Sequence, residues 1–223
     1  MSAPSLDQAK NIHIKLITMA LIWGSSYPMG RVLAQYEVPS LIVFSRLVLA
    51  FLFLIAFARW RGELKWAITK NQIALFFLLG FSGFCVHNYL LFKALEYTEA
   101  STGAVINGAI PLIVVMLDYV FFRRTVRALA LFGIMVGIVG TAVVVTHGDW
   151  AFVLSKGLGF GEFLFLVAIC GWAVYTIAAR PLFATVSPIM ITAYTCLTGA
   201  ILLSPAALST LPAAGQLISD WPT

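Results

Sequence analysis

Residues 23–39 read WGSSYPMGRVLAQYEVP, and residues 172–188 read WAVYTIAARPLFATVSP. Laid over one another without a gap, Trp23 meets Trp172, Arg31 meets Arg180, Leu33 meets Leu182 and Pro39 meets Pro188. The same register of 149 positions carries Ile42 onto Ile191 and Leu54 onto Leu203. Tryptophan, arginine and proline agreeing in register within apolar sequence mark an internal repeat. Such a repeat constrains the fold more than any single motif, because both halves must solve the same packing problem.

That problem is set in lipid. About 20 apolar residues cross a bilayer as a helix, and the expected spans lie near 14–34, 40–58, 72–95, 100–122, 128–146, 158–179 and 187–208. The chain is 61% hydrophobic and 10% charged, with a mean hydropathy of +0.97, and too little charge remains to solvate a globular surface. Lipid is therefore the first partner. The net charge of +5 sits between apolar segments, which makes it topological and excludes nucleic acid as a partner. Cys85, Cys170 and Cys196 all fall in apolar stretches without metal or disulfide spacing and read as small packing residues. Asp7 and Lys10 precede an apolar segment too long for a signal peptide, so the first span is expected to remain as an anchor.

Loop charges give the orientation. Lys10 and Lys15, then Arg59, Arg61, Lys65 and Lys70, then Arg123, Arg124 and Arg127, and finally Arg180 occupy one set of loops; the alternate loops hold only Lys156. The N-terminus is expected in the cytoplasm. Five spans separate Trp23 from Trp172, and an odd number reverses direction, so the repeats are inverted, a common build of secondary transporters. The expectation is an all-α membrane protein: a polytopic transmembrane helix bundle of inverted five-helix repeats, with about seven helices present. A period of 149 implies about 298 residues and ten helices for two whole repeats. The chain then divides into a cytoplasmic segment 1–13, a first repeat 14–146, two helices of a second repeat 158–208, and a polar tail 209–223. It reads as an excerpt of a transporter; the alternative is a truncated, non-transporting membrane protein or partner subunit.

Several stretches resemble the EamA-type branch of the drug/metabolite transporter superfamily. Trp23-Gly24-Ser25-Ser26 with Arg46-Leu47 is similar to that family's first two helices. Ala94-Leu95-Glu96-Tyr97-Thr98 followed by Ala109-Ile110-Pro111 resembles its third-to-fourth helix segment, and Gly133–Gly140 its fifth helix. Trp172-Ala173-Val174-Tyr175 resembles the start of the second repeat. Arg123-Arg124 stand where the family usually places an acidic residue. The resemblance implies small-metabolite or amino-acid-like cargo, often exported, across what is expected to be a bacterial inner (plasma) membrane.

A polar side chain in the bilayer costs about 2.5–3.5 kcal/mol on insertion scales, so each invites a functional reading. Arg46, His87, Asn88 and Asn107 are expected at one depth, in the outer third of the membrane. They either line a substrate cavity, with Arg46 binding a carboxylate or phosphate through its planar fork of donors, or tie helices together. Trp23 and Trp172 fall near midplane with Tyr27 and Tyr175 close by, as cavity walls or as packing. Asp118 lies near Arg123 and Arg124, so a local ion pair or snorkelling stands beside proton coupling or an inner-gate role. Pro111 is expected to kink the fourth span and, with Asn107, to act as a hinge. Gly133, Gly137 and Gly140 form a small-residue face for an intrachain neighbour or for a second subunit in a homodimer.

Other classes fit poorly. His13, His87 and His147 are scattered, no HExxH or GxSxG occurs, and one membrane aspartate is too few for an intramembrane aspartyl protease. The seventh span has no lysine for a retinal Schiff base, and the cytoplasmic N-terminal charge argues against a receptor. Nothing resembles a nucleotide-binding loop, and no cofactor or metal is expected. The reading is a secondary transporter working by alternating access, not an enzyme.

Overall fold

The computed structural model describes residues 6–34, 36, 38–64, 68–123, 127–145 and 159–219. Lys65, Arg124, His147 and Lys156, with the expected loop 147–157, lie outside the described residues. Helix α1 (Leu6–Gly24) is followed by α2 (Ser26–Ala34). It begins well before the expected start of the first span because Leu6, Gln8, Ala9 and Lys10 favour helix without being uniformly apolar. The break at Ser25 has its cause in Pro28, four residues after Gly24. Pro28 offers no N–H to the carbonyl of Gly24 and crowds it, so the helix yields there.

Helix α3 (Pro39–Trp60) starts with proline in its first turn. Helix α4 (Lys70–Leu79) starts on a capping box, where the Thr69 N–H donates to Gln72 Oε1 at 2.9 Å and the Gln72 N–H to Thr69 Oγ1 at 3.4 Å. It runs into ten residues of π-helix, Gly80–Tyr89, and ends as α5 (Leu90–Ala94). The fourth span is two helices, α6 (Ala100–Asn107) and α7 (Ile110–Phe122). Pro111 was expected mid-helix as a kink; it lies in the first turn of α7, and the helix ends at Asn107, whose carbonyl has lost its partner four residues on. Helix α8 (Ala128–Val145), α9 (Phe160–Ala178), a 3-10 turn at Arg180–Ala184 and α10 (Pro188–Ser219) complete the described chain. The expected polar tail is therefore helical through Ser219, carried by alanine and leucine around Pro212.

Five described stretches are long and apolar enough to cross a membrane: Pro39–Trp60, Lys70–Ala94, Ala100–Phe122, Phe160–Ala184 and Pro188–Leu211. Helix α1 is long enough at 19 residues but carries Asp7, Lys10 and Lys15, too many charges for that class, and the described apolar part of α8 is the shorter Ala128–Gly140. The chain is an all-α polytopic membrane bundle.

The repeat is visible in how α3 and α10, its two aligned second helices, pack together. Ser40 Oγ at the start of α3 lies 3.0 Å from Thr210 Oγ1 and 3.2 Å from the carbonyl oxygen of Ala206, late in α10. At the other end, Ala58 clusters with Met190 and Ile191, early in α10. The two helices therefore run antiparallel, as inversion requires. In lipid, helices are held by close packing more than by burial from water. A Cβ on Gly80 would stand 2.4 Å from Thr198 Oγ1 and 2.7 Å from the Gly199 nitrogen, so only glycine lets the π segment meet α10. Helix α7 buries none of its residues, and Phe121 and Leu129 are 70% and 80% exposed, as lipid-facing positions should be. An intrachain neighbour or a second subunit was expected against Gly133, Gly137 and Gly140. Among the described residues a Cβ at any of the three meets nothing within 4 Å, because α8 turns that face outward.

Candidate functional site

Three irregularities of the backbone converge on one place: the α1–α2 break, the π segment and the α6–α7 break. Irregular backbone is tolerated at membrane depth where protein or a cavity covers it, and broken helices are how transporters build their sites. A cavity of about 280 Å³ lies between them. It is lined by Trp23, Gly24 and Tyr27 at the first break, by His87, Asn88, Leu91 and Phe92 on and after the π segment, by Asn107 at the second break, and by Arg46 of α3. Six of the eight expected cavity residues line it. A second cavity of about 510 Å³ adjoins it, sharing Met19, Trp23, Ser26 and Arg46, so Arg46 stands where the two meet.

The polar groups divide by whether their bonding is already satisfied. His87 is buried, and its Nδ1 lies 3.0 Å from the carbonyl oxygen of Ala168 on α9. A carbonyl only accepts, so Nδ1 carries the hydrogen, and in the neutral ring Nε2 is left as an acceptor. Asn88 donates its amide N–H to the Gly83 carbonyl at 2.8 Å, five residues back, which matches the π-helical spacing. Asn107 differs: its Oδ1 is buried and has no hydrogen-bond partner among the described residues. Left so in an apolar setting, that oxygen costs about 1–3 kcal/mol. Arg46 makes no ion pair among the described residues; its guanidinium lies 5.2 Å from the centre of the Phe92 ring. Among the described residues the cavity thus offers one cation without a counter-charge, with His87 Nε2 left as an acceptor nearby, while Asn107 Oδ1 is shut away from it.

The two repeat-related tryptophans touch. The Trp23 and Trp172 ring centres are 5.3 Å apart in an edge arrangement. Trp172 also packs on His87 at 4.8 Å and stacks on Tyr175 at 4.8 Å. Trp172 and Tyr175 do not line the cavity; they stand behind Trp23 and His87 and hold them. A Cβ on Gly83 would lie 2.6 Å from the Tyr175 ring, so that glycine seats the stack.

For Asp118 a local ion pair or snorkelling near Arg123 and Arg124 was expected, beside a proton-coupling or inner-gate role. Instead both its oxygens accept from Arg180, at 2.5 and 2.8 Å, because Arg180 opens the 3-10 turn just after α9, which packs against α7. Sequence reasoning assigned Arg180 only a topological charge. It also missed Phe92, although Phe92 follows Asn88 by four residues and so shares its helix face.

The EamA-like transporter family profile matches residues 11–146 and 159–221. An uncharacterized transporter, YyaM, of Bacillus subtilis (strain 168) is 26% identical over 211 residues, covering 91% of this chain and 69% of the relative. An uncharacterized transporter of Archaeoglobus fulgidus is 28% identical over 196 residues, 88% of this chain and 66% of the relative. The S-adenosylmethionine/S-adenosylhomocysteine transporter of Chlamydia muridarum is 29% identical over 161 residues, 70% of this chain and 50% of the relative. The chain thus spans between half and about two thirds of these relatives. No solved structure matches it. A profile match over nearly all of the apolar sequence, on a bundle whose aligned helices run antiparallel, places the chain in the EamA-like transporter family.

Proposed function

We propose that this chain belongs to a secondary transporter that moves small metabolites or amino-acid-like solutes, as an exporter, by alternating access in a bacterial inner membrane with the N-terminus cytoplasmic. The observation that carries the reading is the cavity at the helix breaks, where an unpaired Arg46 meets an aromatic wall of Trp23, Tyr27 and Phe92. A guanidinium without a protein counter-charge suits a carboxylate or phosphate, which it binds with two parallel N–H bonds. The Asp118–Arg180 pair, which joins the first repeat to the second, serves as the inner gate. The breaks at Ser25 and Gly108–Ala109 supply the hinges.

Solute binding by the purified chain and counterflow in proteoliposomes test this, with Arg46→Lys and Arg46→Gln beside the unaltered sequence. Lysine keeps the charge but not the fork, so anionic solutes should bind about tenfold more weakly to it and weaker still to the glutamine variant. Unchanged binding in both variants would remove Arg46 from the site and with it the reason to place the solute there.

A further inference from the structure

We infer that His87 is a proton-binding site, and that a proton taken up at its Nε2 is bound together with the anionic solute at Arg46. The inference rests on the anion-binding reading of Arg46 above and adds the ion that is bound with the solute. It begins from what lines the two cavities. Their titratable side chains, among the described residues, are Lys15, Tyr27, Arg46 and His87. Of these only the imidazole ordinarily changes charge between about pH 5 and 8. Among the described residues no carboxylate lines either cavity; Asp118, Glu96 and Glu162 are engaged elsewhere, with Arg180, Lys93 and Thr98.

The ring is placed to accept a proton without moving. Its Nδ1–H is held by the Ala168 carbonyl at 3.0 Å, and the Trp172 ring lies against it with centres 4.8 Å apart. Nε2 has no hydrogen-bond partner among the described residues, yet it is not sealed from the surface as Glu96 Oε1 and Asn107 Oδ1 are. Its lone pair therefore meets the cavity that His87 shares with Arg46. A proton from water forms the Nε2–H bond there while Nδ1–H stays on Ala168, and the adjoining indole favours the cation. The titratable groups around the ring bring it no negative charge. They are Arg46 from α3, Tyr27 from α2, Tyr175 from α9 and Cys196 from α10, with Cys85 of the π segment itself turned to the Gly199 carbonyl. A second positive charge beside Arg46 in a space of about 280 Å³ is repelled when the cavity is empty and favoured once an anion occupies it. Proton and anion then raise the affinity for one another by the same factor.

Benzenesulfonate is the probe, because its charge does not change with pH and its ring suits the wall of Trp23, Tyr27 and Phe92. Calorimetry on the full chain in detergent, repeated in buffers of different ionisation enthalpy, counts the protons taken up on binding. The loaded state holds the extra proton, so raising the pH should weaken binding, by up to about tenfold per pH unit between about pH 5 and 8. Uptake should approach about one proton per anion within that window. His87→Asn keeps an amide N–H for Ala168 and cannot titrate, so it should bind the probe without uptake and without pH dependence. Should that variant not fold, the unaltered chain decides: near neutral pH the nitrogen resonance of His87 Nε2 should move to the imidazolium position as the probe saturates. Arg46-dependent binding with neither uptake nor a shifted resonance would overturn the inference alone and leave the anion reading standing. Uptake that persists in His87→Asn would put the proton on another group and overturn it as well. No binding of the probe at any pH would overturn the inference together with the anion reading of Arg46.

Discussion

Replacing Asp118 with Asn keeps the shape of the side chain and removes its charge, leaving Arg180 against a neutral amide. The size of the effect follows from burial. Asp118 is 16% exposed and Arg180 35%. Pairs at the surface contribute about 0–1 kcal/mol, and breaking a fully buried pair costs about 3–5 kcal/mol. The bidentate geometry argues for the upper range, and a guanidinium one-third in contact with its surroundings argues for the lower. About 1–2 kcal/mol results, a factor of about 5–30 in an equilibrium. Ala179, beside Arg180 and only 3% exposed, reports that equilibrium when changed to cysteine in a chain whose Cys85, Cys170 and Cys196 are replaced. With opening a minor state, the rate of labelling by an impermeant thiol reagent follows the open fraction. Asp118→Asn and Arg180→Gln should each raise that rate about 5–30-fold, and the double variant should be no faster than either, since both remove one interaction. Exchanging the two charges should slow labelling again. If the single variants label at the original rate, or if their effects simply add, the pair is not a latch and α7 is held to α9 by packing alone.

Two smaller perturbations probe the walls of the site. Gly83→Ala drives a methyl to within 2.6 Å of the Tyr175 ring, so the stack on Trp172 must shift. The expected loss is about 1–3 kcal/mol, with a changed near-ultraviolet dichroism of the aromatic cluster; an unchanged spectrum and melting midpoint would show that the π segment gives way instead. At the far end of the bundle Arg31 donates through Nη1 to the Leu95 carbonyl, tying α2 to the end of α5. Arg31→Gln should cost about 1–2 kcal/mol and speed amide exchange around Leu95, while Arg31→Lys, still able to donate, should lose less. Equal loss in both would point to lost packing.

How much of this was legible beforehand depended on the kind of information involved. Helix positions and the inversion could be read because lipid imposes a length and the repeat imposes a register; α3 and α10 pack as that register requires. The convergence of Arg46, His87, Asn88 and Asn107 was legible as shared depth, since rise per residue is fixed. Which of them are free was not. That His87 is consumed by Ala168, or that Asn88 turns back onto Gly83, depends on a π segment whose spacing has no signature in residue order alone. The prolines could be read as breaks, but not their placement: Pro28 and Pro111 act four residues back, at Gly24 and Asn107, and those two positions line the cavity. Asp118 was assigned to the nearest arginines in sequence, whereas tertiary packing put a distant one beside it.

The same pair of arginines shows where the repeats stop being equivalent. Arg31 and Arg180 align in the repeat, and inversion puts them at opposite ends of the bundle. Symmetry would give them the same kind of partner. Arg31 donates to a backbone carbonyl, whereas Arg180 holds a carboxylate with two bonds. A carbonyl tied to a rigid helix end can be released to water at little cost, because its own partial charge is small. A bidentate carboxylate cannot be released without separating two unit charges. The two ends of an inverted bundle therefore differ in the free energy needed to part them, although the backbone relates them. On the proposed alternating access, the chemistry at Arg31 and Arg180 would make the two openings energetically unequal although the repeat relates them. A single substitution at Asp118 should then shift the balance between those proposed openings while leaving the cavity at Arg46 untouched.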